Sequence, residues 1–160
     1  MSEFPRTLKI ITVWAVVGLA LFLGFRAIEA QQQRLRFEAS GDVITLHRGP
    51  DGHYRWPGRI NGVPVDFLVD TGATRTALPE WVARKARLDT DGKVTSSTAG
   101  GVVTGSRARA DLVLEGGVKA SSLRVVVLPQ LDDALLGMDV LGRLKIGQHR
   151  DQLTIDLRGS

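Results

Sequence analysis

An apolar run that ends abruptly in a carboxylate constrains this chain most. Val63-Pro64-Val65-Asp66-Phe67-Leu68-Val69 is rich in Val, Phe and Leu. It reads as a buried strand, broken only by Pro64 near its start, where a missing N–H harms a sheet least. The run leads directly into Asp70-Thr71-Gly72, a triplet found once in 160 residues. A strand that ends in an acid, a hydroxyl and a glycine presents the acid at a tight, closely packed turn. Asp, Thr and Gly are also ordinary turn residues, so the triplet alone does not define a site.

Its surroundings narrow the reading. About 65 residues downstream, Ala134-Leu135-Leu136-Gly137-Met138-Asp139-Val140-Leu141 places two apolar residues and a glycine before a short apolar-periodic segment. Between the two lies Thr95-Ser96-Ser97-Thr98-Ala99-Gly100-Gly101-Val102-Val103-Thr104-Gly105, polar, glycine-rich and flanked by strand-like sequence. This order resembles the retropepsin-like aspartic proteases: Asp-Thr-Gly-Ala at the catalytic loop, a glycine-bearing flap, then apolar-apolar-Gly before a helix. The likeness runs from about Gly52 to Leu144. Arg59-Ile60-Asn61-Gly62 also looks like the bacterial membrane-anchored branch, which carries a single Asp-Thr-Gly-Ala.

The resemblance implies a mainly β fold: a single-lobed pepsin/retropepsin-like β-barrel with one or two short helices, preceded by a transmembrane helix. It implies an aspartic endopeptidase that hydrolyses peptide bonds with an activated water. Such chemistry needs two facing aspartates, and this chain has one Asp-Thr-Gly, so the active unit would be a homodimer with Asp70 from each subunit on the two-fold axis. Two close carboxylates cannot both ionise cheaply. One would act as general base on the water; the other, protonated, would polarise the scissile carbonyl. No metal and no cofactor is required.

The resemblance also assigns supporting roles. Thr71 would bond across to the partner's loop, Gly72 would allow the tight turn and bring its N–H to the carboxylates, and Ala73 and Thr74 complete the loop. Ala73 offers no hydroxyl to stabilise an ionised carboxylate, which points to activity nearer mild acid or neutrality than strong acid. Thr98, Ala99, Gly100 and Gly101 would form a flap closing over an extended peptide or protein substrate. Leu135, Leu136 and Gly137 would support the loop from beneath, and Asp139 would face solvent.

Charge and composition exclude other classes. The absence of cysteine removes disulfides, thiol catalysis and Cys-based zinc sites. His47, His53 and His149 show no metal-ligand spacing. Residues 1–36 carry five basic and two acidic side chains, and the remainder 16 basic against 15 acidic. That nearly neutral remainder offers no broad footprint for nucleic acid; Arg84, Lys85 and Arg87 read as a solvated helix face. Asp70, Gly72 and Thr74 superficially match a phosphate-binding Asp-x-Gly-x-Thr, but 160 residues cannot build the two large α/β domains it serves.

Ile10 to Phe25 is an uncharged apolar run of 16 residues between Lys9 and Arg26. At 1.5 Å per residue it covers about 24 Å against a hydrocarbon core of roughly 30 Å. An anchor over 1–28 fits if Lys9 and Arg26 snorkel; a signal peptide cut after Ala30 is the rival. Basic residues flank the run on both sides, so charge does not orient it. The resemblance implies a single-pass protein of the bacterial inner membrane with a periplasmic catalytic domain.

Residues 29–41 read as a polar stalk, and 42–160 as the protease domain. Strands are expected over Val43–His47, Tyr54–Ile60, Val63–Val69, Arg107–Leu114, Leu123–Leu128 and Leu153–Leu157, with Asn61-Gly62 as a hairpin turn. One helix is expected to open at Pro79 and another to cover Met138–Leu141. Trp56 and Trp81 read as core or interface aromatics. The alternative function is a membrane-tethered, inactive module of the same fold that binds peptides or a partner protein, because fold alone does not establish activity.

Overall fold

Local turn chemistry and alternation set most of the strands. The computed structural model describes residues 6–35, 37–98 and 101–158. The chain divides into a helical unit ending at Leu35 and a second unit from Arg36 onward. The first is a single helix, α1 (Arg6–Leu35), whose side chains from Ile10 to Gly24 are exposed throughout. Among the described residues no helix is long and apolar enough to cross a membrane.

The second unit holds two sheets. A four-stranded antiparallel sheet has the order β1 (Phe37–Ser40), β2 (Val43–His47), β11 (Gln152–Asp156), β10 (Lys145–His149). The expected stalk therefore divides: residues to Leu35 continue α1, and Phe37–Ser40 pairs with Val43–Leu46. The sheet domain begins at this pairing, not at residue 42. Four residues are too few for alternation to announce a strand; the pairing with β2 makes it one.

The larger sheet joins β3 (Arg55–Ile60), β4 (Val63–Val69), β9 (Ala134–Leu136), β5 (Ala77–Pro79), β8 (Lys119–Leu128), β7 (Gly101–Leu114) and β6 (Thr90–Thr98) in that order. β3 also pairs with β7 through Gly58, Arg59 and Ile60, so six strands close into a barrel and β6 lies outside the ring. Asn61 and Gly62 both take positive φ, 46° and 82°, the geometry a two-residue hairpin requires. The Asn61 amide oxygen accepts the Asp111 N–H at 2.8 Å, fastening that turn to β7.

Two short helices complete the unit. α2 (Glu80–Lys85) begins one residue after the expected start, with Pro79 still extended as its N-cap. α3 (Met138–Leu141) lies where expected. Arg84, Lys85 and Arg87 are exposed, and Arg84 pairs with Glu80 at 3.5 Å.

The barrel interior is filled by Trp56, Phe67, Ile60, Leu78, Leu112, Leu114, Leu136 and Leu141, each at most 1% exposed. Burial of each such side chain contributes about 1.5–3 kcal/mol. The Trp56 indole N–H donates to the Glu115 carbonyl at 2.8 Å, so its burial leaves no orphaned donor. Trp81, by contrast, is 47% exposed.

A second, smaller apolar group uses the opposite face of the same strands. Leu136, Leu78 and Val127 belong to the main core, whereas their neighbours Leu135, Ala77 and Val126 gather with Leu128, Val94, Val103 and Leu131. Successive side chains of a strand alternate in direction. The sheet thus has a closed inner face and a shallow, partly covered outer one.

Candidate active site

Asp70 emerges at the end of β4, where the strand is held on both sides. The Val69 N–H donates to the Tyr54 carbonyl at 2.9 Å, and the Asp70 N–H to the Leu136 carbonyl at 3.1 Å. β4 and β9 run parallel, with Val69 opposite Leu136. The chain then turns back: the Ala73 N–H donates to the Asp70 carbonyl at 3.2 Å, and the Gly72 N–H to Asp70 Oδ1 at 2.8 Å. Asp70 is half-buried while Thr71, Gly72, Thr74 and Arg75 are exposed. Gly72 takes no left-handed φ; a Cβ there would stand 3.2 Å from Asp70 Oδ1, a tight contact that the carboxylate would have to shift slightly to admit.

The underside of this loop is fixed by residues from the other end of the sequence. The Met138 N–H donates to the Ala73 carbonyl at 2.8 Å. A Cβ on Gly137 would lie 2.4 Å from the Arg75 carbonyl carbon and 2.8 Å from the Thr76 nitrogen, so only glycine lets the two backbones approach so closely. Thr76 is wholly buried. Its N–H donates to both Asp139 oxygens at 3.0 Å, its hydroxyl donates to Asp139 Oδ1 at 2.9 Å, and the Gly137 N–H donates to that hydroxyl at 3.3 Å.

Asp139 therefore does not face solvent as the sequence reading expected. It is half-buried and ties α3 to the loop. Thr76 and Asp139 stand 63 residues apart, and no local pattern joins them; the only hint is an acid in the first turn of a segment that follows Leu-Leu-Gly. The expected supporting trio also separates. Leu136 and Gly137 lie beneath the loop, while Leu135 turns to the outer face and joins Ala77, Val126 and Val103.

Two of the expected flap residues, Thr98 and Gly101, lie at the end of a long antiparallel ladder. β6 and β7 pair from Thr90↔Ala108 to Thr98↔Gly101, and Gly101 has φ 110°. Thr98 and Gly101 form the last pair of that ladder; Ala99 and Gly100 lie outside the described residues.

One ion-pair group braces the strand beneath the loop. Arg55 donates to Asp133 through both terminal nitrogens at 3.0 and 3.1 Å, and to Asp51 Oδ2 at 3.0 and 3.3 Å. The hydrogen bonds from Arg55 hold the Asp133 carboxyl below its ordinary 3.8, against a smaller opposing effect of burial. Burial opposes ionisation of Asp51 too, but Arg55 and the His53 N–H outweigh it and its carboxyl is also lowered. Arg55 itself is raised, chiefly by its bonds to Asp133. Among the described residues no group of three or more His, Asp or Glu could hold a metal ion.

A closed β-barrel that presents a single Asp-Thr-Gly loop from the end of β4 defines the retropepsin-like fold, and the comparisons agree. Residues 56–143 match the family described as "gag-polyprotein putative aspartyl protease", and the chain belongs to that family. The crystal structure of a retropepsin-like aspartic protease from Rickettsia conorii aligns with a TM-score of 0.59 and 25% identity, covering 75% of this chain and 94% of that one. The uncharacterized protein RP867 of Rickettsia prowazekii (strain Madrid E) is 27% identical over 159 residues, spanning 90% of this chain and 68% of the relative. An uncharacterized protein from the cobV 5' region of Sinorhizobium sp. is 27% identical over 180 residues, spanning 96% of this chain and 75% of the relative.

Proposed function

We propose that the chain is an aspartic endopeptidase whose active unit is a homodimer, with one Asp70 from each subunit flanking a shared water. The observation that carries this reading is the Asp70 loop itself. Its carboxylate is oriented by the Gly72 N–H and its underside is locked by Gly137, Thr76 and Asp139, yet Thr71, Gly72 and Thr74 are exposed. A loop held so firmly from below with an open top suits assembly against a second copy. Thr71 then bonds across the axis and keeps the two carboxylates in register.

In the assembled site one Asp70 is ionised and takes a proton from the water as it attacks the scissile carbonyl. The other, protonated, donates to the carbonyl oxygen and stabilises the tetrahedral oxyanion. The nitrogen then gains a proton as the C–N bond breaks. The substrate is an extended peptide lying on the outer apolar face of Ala77, Val126 and Leu135 under the β6–β7 hairpin, held by main-chain hydrogen bonds.

In the same reading, α1 tethers the domain to the bacterial inner membrane with the barrel on the periplasmic side. The support is an uncharged run whose described side chains are all exposed. A single pass over about 24 Å requires thinning of the bilayer and snorkelling by Lys9 and Arg26. Confinement to a plane raises the effective concentration of the two halves.

The test compares the full chain with its Asp70→Asn variant on a diverse peptide library from mild acid to neutral pH, with and without pepstatin. Cleavage by the wild type that vanishes in a folded, dimeric Asp70→Asn protein is expected. A folded, dimeric wild type that cleaves nothing overturns the reading and leaves a peptide- or partner-binding module.

A further inference from the structure

Beyond the carboxylate chemistry, the outer face of the sheet carries an unusual concentration of positive charge. A cavity of about 190 Å³ is lined by Arg75, Arg107, Arg109, Arg124, Asp91, Ala108 and Val125. Four arginines and one aspartate line it, and all four arginines are exposed.

Strand register brings these cations together. Arg109 on β7 lies directly opposite Arg124 on β8, a like-charge cross-strand pair that destabilises a sheet unless an anion bridges it. Arg107 is two residues from Arg109, on the same side of β7. β5 and β8 run parallel with Ala77 opposite Val126, so Arg75, two residues before Ala77, approaches Arg124. Arg107 has only a long contact to Asp91, at 4.0 Å, and a 3.5 Å bond to its carbonyl. Among the described residues Arg75, Arg109 and Arg124 have no ion-pair partner.

The position of the cluster points to its occupant. Arg124, Val126 and Leu128 alternate along β8, and Val103, Arg107 and Arg109 share one side of β7, so the cations extend the outer apolar group without a break. Arg75 also closes the loop that begins at Asp70. Strands lie about 4.8 Å apart, and an extended peptide advances about 3.3 Å per residue. Counting across β4, β9, β5 and β8, the cluster sits roughly three to five residues along a bound peptide from the scissile bond.

We propose that Arg75, Arg107, Arg109 and Arg124 form a subsite for an Asp or Glu side chain of the substrate, several residues from the cleaved bond. The proposal rests on the aspartic-protease reading above and names the substrate class of that same cleft: peptides with an apolar centre and a distal acid. Guanidinium forks match a carboxylate bidentately, and one acid placed between Arg109 and Arg124 relieves their repulsion.

The test uses the full chain carrying Asp70→Asn, which binds without turnover, and labelled peptides with an apolar centre and either Glu or Gln three, four or five residues away. At one of these positions the Glu peptide should bind about tenfold more tightly than the Gln peptide, as charge-assisted bonds to several guanidinium groups predict. Arg109→Gln with Arg124→Gln should bring that ratio close to one. With the arginines intact, raising salt from about 50 to 500 mM should shrink it as well, because exposed pairs are screened. Equal binding of Glu and Gln peptides at every position overturns the proposal, as does a preference that survives both the substitutions and the salt. Arginine-dependent binding to phosphatidylglycerol vesicles without discrimination between the peptides also overturns it, in favour of a lipid headgroup. Arginine-dependent Glu preference in a protein whose wild type cleaves nothing supports the subsite while removing the protease reading.

Discussion

The two sides of the Asp70 loop are built on opposite terms. Beneath it, polar groups are partnered within the chain: Asp70 N–H with Leu136, Ala73 carbonyl with Met138, and buried Thr76 with both oxygens of Asp139. Above it, Thr71, Gly72, Thr74 and Arg75 are exposed, and the Asp70 carboxylate receives one backbone N–H from its own turn. The underside therefore spends its chemistry on holding a shape, whereas the top leaves these residues exposed. Substitutions below should act on stability. Substitutions above, such as Asp70→Asn, should leave the melting temperature close to wild type, since an Asn oxygen can still accept the Gly72 N–H.

Gly137→Ala should have the largest effect. The added methyl meets backbone atoms of Arg75 and Thr76 at 2.4–2.8 Å, and neither can move without displacing the loop. A destabilisation of about 3 kcal/mol or more is expected from overpacking against fixed backbone. A denaturant titration showing a loss below about 1 kcal/mol would mean that the loop is softer than its contacts imply.

Asp139→Ala comes next. It strips a fully buried Thr76 of the acceptor for both its N–H and its hydroxyl, and unsatisfied buried donors cost about 1–3 kcal/mol each. A loss of roughly 2–4 kcal/mol is expected, with about half recovered in Asp139→Asn, whose single amide oxygen can still take one donor. Equal stability of the Ala and Asn variants would show that the carboxylate does not hold Thr76. Proteolytic activity, where present, should fall with the folded fraction rather than through a change in pH optimum.

The same contrast explains what could be read from the chain beforehand. Val63–Val69, the Asn61-Gly62 turn and the Met138–Leu141 helix all lie where local pattern places them, because alternation and turn residues act over a few positions. β5 and β9 have three residues each, too few to show any period, yet they carry the underside of the site. Thr76 and Asp139 meet because β9 pairs with both β4 and β5, Ala77 lying opposite Leu135, and the sequence offers no signal for that register. Arg109 and Arg124 are unremarkable in their own strands; only their register sets them face to face. Leu135 and Leu136 look alike as letters, but the pleat sends one to the core and the other to the outer face.

The smallest effect concerns the brace below β9, and it should vary with pH. Asp133 immediately precedes β9 and is bound by Arg55, which also holds Asp51. Both carboxyls are lowered in the folded protein. A lowered folded value means that the unfolded chain binds the proton more readily, so the stabilisation is present above about pH 4 and is lost as pH falls through the folded values. The carboxylates are 46% and 39% exposed, so screening limits each pair to about 1 kcal/mol or less. Arg55→Ala should therefore melt a few degrees below wild type near neutrality, and the gap should narrow as both proteins are taken from about pH 5 to pH 2.5. A gap that stays constant through that window would show that Arg55 acts by packing its aliphatic stem rather than by its charge. The comparison with Arg109 and Arg124 then becomes quantitative: guanidinium groups already paired below the loop lower stability when removed, whereas those left unpaired on the outer face should leave it unchanged or raise it slightly.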